Sequence, residues 1–321
     1  MGNIVSIIRR LREPAGRQRK SPGVVKQMAR GARQGSTAFM SQVAQIVLRG
    51  LIVGLLVLAP ALLLPDISQE AAQGITLLAL VAAIVVSTEY AAAYPGLIEF
   101  RDAKPYNRIR FCLLASIVLC VTILQRDLLL PPEARSLIST VAYTLATTMD
   151  FAFSPVRLLV VALPGDLPTA HLALVMAAAS LSYILSIVGL VCFLGLLLGG
   201  YWPRRNMTLN VWVNLPNFDP TKGHDVVHRL ERDGHVNIVL GIILPFSLPV
   251  LLHISALLVQ PMTLQAPLTF VWGVSLWAFI PASLIMRGVA MYRVAQMIRA
   301  QRRRIAEEEE SLPLPARSAY S

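Results

Sequence analysis

"ISTVAYTLATTMDFAFSPVRLLVVALPGDLP", residues 138–168, decides how often this chain crosses a membrane. The stretch is apolar enough to enter hydrocarbon, yet Asp150, Pro155 and Arg157 interrupt it. Working outward from it, six longer apolar runs lie at about 46–65, 75–94, 111–130, 172–199, 237–259 and 268–289. Each comes to about the 20 residues or more that span a bilayer core as a helix. Composition agrees: 55% of residues are hydrophobic and 15% charged, where a soluble chain carries about 25% charged residues. Mean hydropathy is +0.61.

Charge resolves the ambiguous stretch. The 29 Lys and Arg residues fall almost entirely in 1–44, 95–110, 201–236 and 287–321, while the connections 66–74 and 260–267 contain none. Basic loops stay on the cytoplasmic side, so both termini and the loops 95–110 and 201–236 are expected there. A seventh crossing within 131–171 would put either "YWPRR" (201–205) or "FRDAKPYNRIR" (100–110) on the wrong side. The region therefore reads as two short helices that re-enter or lie along the outer face, tolerated where the backbone is buried in protein or lines water. The expected fold is an all-α polytopic bundle of six transmembrane helices with a short outer re-entrant or interfacial helix pair. A basic arm (1–44) precedes the membrane domain (45–290), and a cytoplasmic tail (291–321) follows. The expected location is a bacterial inner membrane.

The N-terminus shows no cleavable signal pattern. "MGNIVS" (1–6) matches the myristoylation pattern, but several spans leave a lipid anchor little to add. Cys112, Cys120 and Cys192 lie in apolar runs without paired spacing and read as small apolar side chains.

"GHDVVHRLERDGH" (223–235) holds three of the five histidines. With Asn217 and Asp219 as caps and Pro220 in the first turn, it predicts an amphipathic helix at the interface. His224, His228, Glu231 and His235 form its polar stripe, and Val226, Val227 and Leu230 an apolar stripe toward the bilayer. At about 1.5 Å rise per residue, His224 and His235 stand roughly 16 Å apart and cannot share an ion. His224 and His228 are weak metal candidates, but Asp225 stands where HExxH has Glu, and no third ligand follows. The expectation is no metal site, no cofactor, and an Asp225–Arg229 pair one turn apart.

Ionisable groups in a span mark function by default. Glu89 can reach the interface through "YAAAYPG" (90–96), and Arg49 and Arg287 can snorkel to the cytoplasm. His253 reads as a core histidine bonded to a neighbouring helix. Asp150 and Arg157, seven residues apart on one helical face, predict an intramembrane charge pair. In "EYAAAYPGLIEFRDAKPYNRIRF" (89–111), the residues Tyr94, Phe100, Arg101, Lys104 and Tyr106 suit contact with anionic headgroups or a partner protein.

No nucleophile elbow, P-loop, HExxH, paired-carboxylate or dinucleotide motif is present, so no catalytic residue is expected. Lipid headgroups account for the basic tails with fewer assumptions than nucleic acid does. Polar residues in the spans are few. Small residues in "GITLLALVAAIVV" (74–86) and "ALVMAAASLSYILSIVG" (173–189) permit close packing with the same or another chain. The leading expectation is a non-enzymatic accessory, assembly or scaffold subunit of an inner-membrane complex. The alternatives are a channel or transporter using Asp150, Arg157, His171 and His253, and a membrane enzyme built on His224 and His228.

Overall fold

The computed structural model of the chain describes residues 22–65, 67–101, 104–202, 214–216, 218, 225–256 and 261–311. Contacts divide the chain into two units, Met1–Leu48 and Arg49–Ser321. In the first, the described residues are helical from Pro22 onward. Eight α-helices occur among the described residues: α1 (Pro22–Leu63), α2 (Gln69–Ala91), α3 (Lys104–Asp127), α4 (Leu137–Met149), α5 (Pro155–Val161), α6 (Thr169–Leu198), α7 (Val226–Ala256) and α8 (Pro267–Ser311). Six of them, α1–α3 and α6–α8, are long and apolar enough to cross a membrane. The chain is a polytopic helical bundle.

The ambiguous stretch forms the short pair. α4 has 13 residues and α5 has 7, roughly 20 and 10 Å of helix against a core of about 30 Å. Asp150 ends α4, and Ser154–Pro155 opens α5 with proline in its first turn, where its missing N–H costs nothing. Asp127, at the end of α3, supplies the N-terminal cap that α4 lacks of its own. One carboxylate oxygen accepts the Ser136 N–H at 2.9 Å and both the Ser136 and Ser139 hydroxyls at 2.5 Å. A negative charge at a helix N-terminus is favoured by the unpaired N–H groups there.

The core of the second unit is built on α8, which packs against α7, α6 and α3. Its fully buried Phe270, Val271, Val274 and Met286 share one core with Val175 and Ala177–Ala179 of α6 and Ile117 and Val118 of α3. α7 and α8 approach at backbone distance. A Cβ on Gly288 would lie 2.5 Å from the Gly234 carbonyl oxygen, and one on Gly241 would lie 2.6 Å from the Pro281 carbonyl oxygen. Only glycine fits there, and small residues are what permit such close helix pairs in lipid.

The region 226–235 departs from the expectation. It is no separate interfacial helix: Val226–His235 run without a break into the spanning part of α7. Gly234, a possible break point, sits against Gly288 instead. Val227 and Leu230 are buried in the protein core and not turned to the bilayer, because α8 continues alongside and offers them an apolar surface. Asn217, Asp219 and Pro220 lie outside the described residues. α8 likewise continues past residue 290 to Ser311, with no helix boundary between membrane domain and tail.

Candidate functional site

The connection from α2 to α3 is a folded loop, and one carboxylate organises it. Glu89, in the last turn of α2, accepts the backbone N–H groups of Gly96, Leu97 and Ile98 on a single oxygen at 2.9, 2.7 and 3.1 Å. Converging N–H groups are a ready anion cradle, and here the anion is the chain's own. Arg101 closes the loop's base by donating to the Ala92 carbonyl at 2.5 Å.

Phe100 then turns the chain inward. Its φ of 52° is left-handed, which costs a bulky residue roughly 1–3 kcal/mol. Compensation comes from burial. Phe100 and Tyr106 are fully buried, with ring centroids 4.7 Å apart, and Trp202 and Phe193 complete the cluster at 5.8 Å from each respectively. The Phe100 N–H donates to the Asn214 carbonyl at 2.6 Å, and Asn107 donates to the carbonyls of Glu99 and Phe100 at 2.9 and 3.2 Å.

This geometry aims Glu99 at α8. Arg287 grips its carboxylate with two parallel donors, Nε to Oε2 at 2.6 Å and a terminal nitrogen to Oε1 at 2.7 Å. Its remaining terminal nitrogen donates to Asn237 Oδ1 of α7 at 2.9 Å, and Asn237 donates to the Asp233 carbonyl at 2.6 Å. One guanidinium therefore joins loop, α7 and α8. A paired, two-pronged bond of this kind is strong and directional. Its chemistry is that of a joint: acid and base are both engaged.

Beyond that joint, ion pairs tie the start of α7 to the far part of α8. Arg299 reaches Glu231 at 2.5 Å, and Arg302 reaches Asp225 at 2.7 Å. The hydrogen bond from Arg302 holds the Asp225 carboxyl below its usual range. Asp225 thus pairs across helices and not with Arg229, whose guanidinium stacks on Phe218 at 4.6 Å from the ring centre.

The other expected residues fall as follows. Phe100 and Tyr106 are fully buried, because the loop folds inward, and are not the surface aromatics expected from sequence. Tyr94 is 76% exposed, Arg101 is partly buried, and the Lys104 side chain lies outside the described residues. Asp150 and Arg157 do pair, at 3.5 Å, with both side chains about half exposed. Arg287 does not snorkel: Glu99 neutralises it within the protein. His253 is exposed on α7 and not a core residue. His171 binds the Thr263 carbonyl at 2.9 Å. His228 is exposed, and His224 lies outside the described residues. Among the described residues, no three His, Cys, Asp or Glu side chains converge as metal ligands would. Glu99 and Asn237 were not singled out from sequence. The available signal was Arg287 itself, a charge in an apolar run that needs a counter-charge from elsewhere.

No family model matches the chain, and neither the curated proteins nor the solved structures yield a match.

Proposed function

We propose that the chain is a non-enzymatic scaffold or assembly subunit of a bacterial inner-membrane complex, with both termini in the cytoplasm. One observation carries the reading: α8 is 45 residues long, about 68 Å at 1.5 Å per residue, more than twice the length of a crossing. Residues 299–311 are all exposed. They present Arg302–Arg304 followed by Glu307–Glu310, two blocks of opposite charge on one continuous helix. The joint at Arg287 and the ion pairs to Glu231 and Asp225 hold that helix against α7. A firmly rooted, charged helical arm suits docking of another subunit by electrostatic complementarity. The orientation rests on the basic segments.

Gentle detergent extraction followed by native mass measurement tests the reading. The chain should emerge in fixed stoichiometry with a different protein, and replacing Glu307–Glu310 by Gln should release that protein while leaving the chain in the membrane. A chain found alone, or only with copies of itself, overturns the proposal and favours a channel or transporter.

A further inference from the structure

Where α1, α2 and α3 meet beside the folded loop, a cavity of about 430 Å³ opens. It is lined by Arg49, Arg101 and Arg108 with Tyr90, and by apolar side chains that include Val53 and Phe111. The volume lies within the usual range of small-molecule sites. The Arg49 guanidinium carbon lies over the Tyr90 ring, 4.4 Å from its centre, a cation–π contact that holds the group beside the cavity. Arg101 is fixed by its bond to the Ala92 carbonyl. Among the described residues, no carboxylate lies within ion-pair distance of these three arginines. The nearby acid, Glu89, is occupied by the three N–H groups of the loop.

A second cavity of about 310 Å³ lies between α3 and α6. It shares Arg108 and Cys112 with the first and is otherwise walled mainly by apolar side chains such as Leu113, Leu185 and Val188. Arg108 thus stands between two apolar slots flanking one helix.

We propose that these paired cavities are a binding site for a single anionic phospholipid. Its phosphate engages Arg49, Arg101 and Arg108, and its acyl chains run into the slots on either side of α3. Three positive charges gathered beside apolar helices are costly without an anion. Guanidinium groups match phosphate oxygens in paired fashion, and basic pockets between transmembrane helices are a recurring headgroup site. The apolar side chains that line both cavities beside the arginines select an amphiphile over a free anion.

The test uses the full chain, stripped of lipid in a neutral detergent, with phosphatidylglycerol, phosphatidylcholine or inorganic phosphate added. Native mass measurement should show one phosphatidylglycerol bound per chain, at least tenfold tighter than phosphatidylcholine. The double change Arg49→Gln with Arg108→Gln should weaken that binding at least tenfold, whereas Arg303→Gln should leave it unchanged. Arg49→Lys with Arg108→Lys guards against misfolding, since it keeps the charge and should keep the preference for the anionic lipid. Equal binding of the two lipids, or full binding by the Gln double variant, overturns the proposal. Inorganic phosphate raising thermal stability as much as phosphatidylglycerol does would assign the arginines to a free anion and overturn it too. The result is independent of whether a partner protein docks on α8.

Discussion

Arg287 and Glu99 are 188 residues apart in sequence and share two hydrogen bonds of 2.6 and 2.7 Å. The Glu99 side chain is 10% exposed and that of Arg287 28%, so water screens neither fully. The pair also sets the orientation of Asn237, which draws in α7.

Removing both partners should therefore cost less than the two single removals added together. Glu99→Gln leaves Arg287 unneutralised and should destabilise by roughly 3 kcal/mol. Glu99→Gln combined with Arg287→Met should cost less than the sum of the single changes. Thermal unfolding of the four proteins in detergent forms the cycle. Additive losses would show that the pair contributes no coupling.

The contact of α7 with α8 predicts an asymmetry between glycines. Gly288→Ala places a methyl 2.5 Å from the Gly234 carbonyl oxygen and 2.7 Å from Ile238 Cγ1, so the helices must separate, at about 1–3 kcal/mol. Gly74→Ala in α2 meets nothing within 4 Å and gains helix propensity. Its melting temperature should stay level or rise. Equal tolerance of the two changes would contradict the close approach.

Asp225 gives a pH dependence. Its carboxyl is held below the usual range, chiefly by the hydrogen bond from Arg302. The folded value lies below the unfolded one, so the contribution is complete above the ordinary carboxylate range and fades as pH falls through the lowered folded value. Hydrogen exchange at residues 299–311 should accelerate in that acidic window beyond the intrinsic change in rate. Asp225→Asn should show the faster exchange already at neutral pH. Since both side chains are about half exposed, added salt should act in the same direction.

For Asp150 and Arg157, separated by 3.5 Å and about half exposed, coupling should be present but small, under about 1 kcal/mol. Asp150→Asn should lower stability more than Asp150→Asn with Arg157→Gln does. Strict additivity would leave the charges of the short helix pair without a mutual role.

Orientation is open to direct labelling. In a chain whose native cysteines are replaced by Ser, Gln69→Cys and Gln265→Cys should react with an impermeant maleimide from outside intact cells. Both glutamines are exposed. Arg303→Cys should react only after lysis, and its labelling in intact cells would reverse the proposed topology.

The number of spanning helices and the short pair between the third and fourth were legible in sequence, because both follow from sums over neighbouring residues. A window of about 20 apolar residues suffices to cross hydrocarbon, and Asp150, Pro155 and Arg157 break such a window wherever the rest of the chain lies. Tertiary structure decided where side chains point and whom they meet. Phe100 and Tyr106 read locally as surface aromatics, but a left-handed Phe100 and a loop closed on Glu89 bury them. Val227 and Leu230 face protein because the long α8 continues beside them. Arg287 has an escape to water along its own helix, yet the partner it takes comes from a loop two helices into the chain. Hydropathy is additive along the sequence and can be read from it. Ion pairing depends on which helices lie side by side, and that is a property of the packed bundle.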